Sequence, residues 1–151
     1  MHSRITEVAG GPGDGGLSFV QQKVLPGFES ADGFEGLVLL VGAARTRQLW
    51  ILFVDGDGRQ SPVVVPIADV PHRPEPRGLA GITRVLHGLR GELVTERGPG
   101  AVIVARERPG GDTVLDADRE WAAALAEACR TAGVALRATV LSTPGGVRWL
   151  G

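Results

Sequence analysis

Arg106 and Arg108 stand two residues apart at the end of an apolar run, in the stretch Ala105-Arg-Glu-Arg108-Pro-Gly-Gly-Asp112. Strand, Gly-rich turn and helix is an order in which many α/β proteins keep their chemistry. Guanidinium groups have no free lone pair for a metal; they offer N–H donors and charge suited to phosphate or carboxylate. Arg106 and Arg108 are therefore candidate anion-binding residues. Asp112 and Asp116 are the candidate caps of the loop and of the helix behind it. The competing expectation is that Glu107, Asp112, Asp116 and Asp118 neutralise the arginines in a solvated surface network, where each pair contributes only about 0–1 kcal/mol. Lys23 is the chain's only lysine, so arginine fills every other Lys/Arg position, and any one arginine is less diagnostic for it.

Other chemistry-bearing patterns are thin. Gly11-Pro-Gly13-Asp-Gly15-Gly16 matches the glycine spacing of a dinucleotide-binding turn. The next residues, LSFVQQKVLPG, contain no helix start, so the required strand–turn–helix context is missing. Asp55-Gly-Asp57-Gly58 lacks the further oxygen ligands of a calcium loop and reads as a hairpin turn. His2, His72 and His87 are the only histidines. His72 falls in the proline-rich connector DVPHRPEPR and His87 on a helix surface, so neither is placed to partner Ser142 or Thr143. No G-x-S-x-G, H-E-x-x-H or P-loop motif occurs. A lone cysteine, Cys129, excludes an internal disulfide and a Cys-cluster zinc site, and its apolar helical neighbours predict a buried structural thiol.

The elements that position these residues follow from hydropathy. A chain of 151 residues, 43% hydrophobic and 22% charged, fits one globular domain. Its net charge of −1 gives no global attraction to nucleic acid or an anionic membrane. No signal-peptide core and no run of ~18 apolar residues is present, so the expectation is a cytoplasmic protein without a membrane span. Residues 1–16 are glycine-rich and read as a flexible segment, with residues 17–151 forming a single domain. Within that domain GLVLLVG, QLWILFV and PVVVPI predict strands, the last two a hairpin about the Asp-Gly-Asp-Gly turn. Leu79, Ile82, Val85, Leu86 and Leu89 predict a helix by spacing. AVIVA is apolar on both faces, as a covered central strand should be. A helix capped by Asp116 and running to about Ala132 is expected, with Trp121, Ala124, Leu125, Ala128, Cys129 and Ala132 inward and Gly133 as its stop. LRATVL and a short terminal strand close an α/β (α+β) mixed sheet.

This order and its turn resemble the JAB/MPN metalloprotease-like fold, in particular its bacterial RadC-type branch, over roughly residues 45–150. The resemblance rests on Leu52-Phe-Val-Asp55, Ala101-Val-Ile-Val-Ala105 and Pro109-Gly-Gly-Asp112. It implies a three-layer arrangement with an N-terminal β-hairpin and helices packed on the sheet. The family's zinc motif, His-x-His followed after seven residues by Ser and after two more by Asp, falls here without a gap on Arg106, Arg108, Asp116 and Arg119. None of these matches the motif, and Arg59–Ala68 has no acid for the family's general base. The implied protein keeps the fold without metal, cofactor or catalytic residue. It is a protein-binding or scaffold module with an unknown protein partner. The alternative is an anion, nucleotide or nucleic-acid binder at Arg106, Arg108 and Arg119, which the resemblance implies would converge beside the helix N-terminus. Self-association stays open.

Overall fold

The computed structural model describes residues 3–8, 18–24, 38–42 and 44–150. Two sheets are present among the described residues. Strands β1 (Ser3–Val8), β2 (Ser18–Val24) and β3 (Val38–Gly42) form an antiparallel three-stranded sheet in that order. β1 falls in the segment expected to be irregular. Ile5, Thr6 and Val8 supply the β-branched residues that the neighbouring glycines obscure. His2 and the Gly11–Gly16 turn lie outside the described residues.

The second sheet is mixed and five-stranded, ordered β5-β4-β6-β7-β8, from β4 (Gln48–Val54), β5 (Gln60–Ala68), β6 (Ala101–Glu107), β7 (Ala135–Thr143) and β8 (Gly146–Trp149). β4 and β5 form the expected hairpin. Asp55 Oδ1 accepts from the backbone N–H of Asp57 at 2.9 Å and of Arg59 at 3.0 Å, and Gly58 supplies the positive φ of 82°. This carboxylate closes a turn. β6 lies between antiparallel β4 and parallel β7. The parallel pair needs a crossover, which helix α2 (Asp116–Ala132) provides, while α1 (Pro76–Leu89) joins β5 to β6.

Alternation divides the strands between two cores. Leu49, Ile51 and Phe53 of β4 and Val102 and Val104 of β6 pack on Ile82 and Leu86 of α1 and on Trp121, Leu125 and Cys129 of α2. Leu52, Val54, Ile103, Ala105, Ala138, Val140 and Val147 form the other core, to which neither helix contributes. Both helices thus share one face of the five-stranded sheet. The opposite face is buried all the same, and β3 touches β6. Gly133 ends α2 in the left-handed region at φ 76°. Its N–H reaches Arg130 O and that of Val134 reaches Cys129 O, as the Gly stop predicts.

Candidate functional site: a buried arginine–aspartate cluster

Arg106 and Arg108 leave the end of β6 on the helix-facing side, because they continue the alternation of Val102 and Val104. Both are buried, at 0% and 3% exposure, so the solvated network expected from sequence is instead an interior one. The carboxylate between them is Asp118, also fully buried. Its Oδ1 accepts from Arg106 Nε and from Arg108 Nε, each at 2.8 Å. Its Oδ2 accepts from Arg108 Nη2 and from the backbone N–H of Leu115, again at 2.8 Å. One carboxylate therefore ties a strand end, a loop and the first turn of a helix together.

Arg108 also stiffens the glycine turn. Its Nη1 donates to Pro109 O at 3.0 Å and to Gly111 O at 2.9 Å, and its Nη2 to Thr113 O at 2.8 Å. Gly110, with φ 95°, lets the chain curl around this guanidinium. Arg106 is less well served. Its Nη2 donates to His72 O at 3.1 Å and its guanidinium lies 5.7 Å from the Trp121 ring centre. Its Nη1 is buried with no hydrogen-bond partner among the described residues. Burial lowers the pKa of Arg106 from its ordinary value; Asp118 opposes that shift, and the charges of Arg108 and Arg47 add to it. For Asp118, burial alone would raise the pKa, but hydrogen bonds from Arg108, Arg106 and the Leu115 N–H hold it down at about 2.

The remaining predicted residues lie elsewhere. Arg119 does not join the cluster: it is exposed and pairs with Asp116 at 3.4 Å along the helix surface. Asp116 is the first helical residue, and Leu115 occupies the N-cap, with Asp118 three residues on accepting the Leu115 N–H. Asp112 is exposed, and its backbone carbonyl accepts from Arg148 Nη1 at 2.7 Å. Glu107 turns to the opposite face by the same alternation that brings its neighbours together. There its carboxylate accepts from Ala44 N at 3.0 Å, Gln48 Nε2 at 3.1 Å and Trp50 Nε1 at 2.6 Å. Trp121 is a core anchor, donating to His72 O at 3.0 Å.

Sequence reasoning missed Asp118 as the organising residue, although a signal for it exists. Asp118, Trp121, Leu125, Ala128, Cys129 and Ala132 recur at helical spacing, so an acid lies on the inward stripe of α2. Two guanidinium groups on the facing side of the strand require such an acid. The zinc of the family that the sequence resembles does not fit this donor set, because guanidinium nitrogen cannot ligate it. Among the described residues no group of three or more His, Cys, Asp or Glu is placed to hold a metal ion. No helix among them is long and apolar enough to cross a membrane. No family model matches the chain, and neither a curated protein nor a solved structure does.

Proposed function

We propose that the chain is a non-catalytic binding or scaffold module on a JAB/RadC-like framework, in which an ion cluster occupies the place of the zinc site. The observation that supports this most is the convergence of Arg106 and Arg108 on Asp118. In the family it resembles, two strand-end ligands and a carboxylate from the first helical turn meet at a metal. Here two strand-end guanidinium groups meet a carboxylate from the first helical turn, with no metal between them. Such a cluster fixes conformation and leaves no open coordination position for an activated water. The test is the zinc content of the purified chain together with its melting temperature in chelator. The expected results are no stoichiometric zinc and an unchanged melting temperature. One tightly bound zinc per chain, or melting sensitive to chelator, overturns the proposal.

A second reading, anion binding at the cluster, is favoured by the unpartnered Nη1 of Arg106 and by an excess of two guanidinium groups over one carboxylate. A phosphate-bearing ligand would supply the missing acceptor, and its binding would weaken with salt. Titration with inorganic phosphate, a nucleotide and a short DNA duplex at low salt tests it. Binding lost in the Arg106→Ala/Arg108→Ala double variant supports this reading. No binding to the unaltered chain removes it.

A further inference from the structure

The arginine cluster closes the carboxyl end of β6, and a cleft opens at the other end of the same strand. Its volume is about 540 Å³, within the range of small-molecule sites. Leu93, Val94, Pro99 and Val134 give it apolar walls, and Arg90 and Arg130 line it as well. It lies where the ends of both helices meet the starts of β6 and β7. Val94, on its wall, is 57% exposed.

The two arginines are differently engaged. Arg130 pairs with Glu127 one turn back, both of them exposed. An exposed pair of this kind exchanges readily for another carboxylate. The exposed side chain of Arg90 has no hydrogen bond or ion pair among the described residues. It makes no hydrogen bond to the end of α2, where the Gly133 N–H meets Arg130 O and the Val134 N–H meets Cys129 O. Its Nη1 would lie 3.0 Å from a Cβ at position 133, so the glycine there also leaves room for the guanidinium against the cleft wall. Glu92, the nearby acid of the turn Arg90–Leu93, lines a separate cleft of about 200 Å³ on the other side of Leu93.

We propose that this cleft binds a small monocarboxylate with an apolar body, its carboxylate held by Arg90 and Arg130 and its hydrocarbon against Leu93, Val94, Pro99 and Val134. Apolar walls supply the burial, and the guanidinium pair selects the charged end. The site is separate from the arginine–aspartate cluster and does not depend on the scaffold reading.

Decanoate and decanol, titrated into the full-length chain and followed by calorimetry and by backbone amide shifts, test it. Decanoate is expected to bind saturably at sub-millimolar concentration, at least tenfold more tightly than decanol. The amide shifts should centre on residues 90–94 and 133–135. Arg90→Gln/Arg130→Gln is expected to weaken decanoate at least tenfold and leave decanol unchanged. Val94→Glu, at an exposed position, is expected to weaken decanoate by like-charge repulsion, with melting temperatures confirming the fold of each variant. No saturable binding to the unaltered chain overturns the proposal. So does equal affinity for acid and alcohol, or shifts centred elsewhere.

Discussion

Arg108 and Asp118 form a two-point pair, Nε to Oδ1 and Nη2 to Oδ2, with both distances 2.8 Å. This parallel-fork geometry is the strong form of the interaction, and here it is fully desolvated. The same guanidinium spends its remaining donors on three carbonyls of the turn that separates β6 from α2. What resembles a ligand-binding loop in sequence is thus a loop wound around one of its own side chains. Arg106 shares the carboxylate but is left with a donor unused.

That asymmetry predicts different costs for removing the two arginines. Arg108→Met leaves three carbonyls unmatched and one buried carboxylate half paired, and is expected to cost about 3–5 kcal/mol. Arg106→Met removes a buried charge with an unsatisfied donor, while Asp118 keeps Arg108 and the Leu115 N–H, and His72 O keeps Trp121. Its expected cost is within about 1 kcal/mol. Urea unfolding of both variants checks the difference. Equal losses would show that the two arginines act as one unit.

Acid should weaken the fold through the same residue. Asp118 has its pKa depressed from 3.8 to about 2 in the folded state. A depressed folded pKa contributes stability that is present above the unfolded value and is lost as pH falls through the folded one. The contribution, roughly 2 kcal/mol, is therefore expected at neutral pH and lost between about pH 4 and pH 2. Asp118→Asn should lower stability at pH 7 and remove that portion of the acid dependence. Parallel stability–pH curves for variant and parent would contradict the assignment.

The mixed sheet was legible because its signals are local. QLWILFV and AVIVA are long enough in apolar residues to force burial, and Gly133 and Asp55-Gly-Asp-Gly58 stop and turn the chain by backbone geometry. The cluster was half legible. Period-two spacing places Arg106 and Arg108 on one face, but motif spacing selected Arg119, one residue beyond the acid that α2 turns inward. The cap shifted for a related reason. Asp116 has the side chain of a good N-cap, yet anchoring Asp118 between two guanidinium groups fixes where the helix begins, and Leu115 falls at the boundary. That preference is tertiary and no local propensity contains it. β1 was hidden because its partner strand lies beyond a glycine-rich stretch, and pairing across such a gap leaves no periodic trace.

Glycines divide into two kinds with opposite predicted effects. A Cβ on Gly100 would sit 2.2 Å from Val54 O and 2.6 Å from Leu93 Cβ, and one on Gly56 only 2.0 Å from Gly98 O. Alanine at either position must push backbone apart and is expected to cost several kcal/mol, toward the upper end of the ~1–3 kcal/mol usual for overpacking. Within α1, by contrast, a Cβ at Gly81 or Gly88 meets nothing within 4 Å. Gly81→Ala and Gly88→Ala are expected to stabilise by about 0.5–1 kcal/mol each, by removing unfolded-state entropy. Thermal melts of the four single variants check both signs.

Cys129 offers a readout of opening on the helix side of the sheet. Its side chain is buried among Trp121, Leu125 and the strand residues of that core, and burial pushes its thiol pKa up to about 11. Both exposure and thiolate fraction are therefore low near neutral pH, and only the thiolate is nucleophilic. A thiol reagent such as 5,5′-dithiobis(2-nitrobenzoate) at pH 8 is expected to leave the native chain unmodified over the time in which the urea-unfolded chain reacts completely. Arg108→Met, which loosens the tie between β6 and α2, should accelerate the native reaction, and Arg106→Met should do so far less. Rapid labelling of the unaltered native chain would show that α2 does not hold Cys129 in the core.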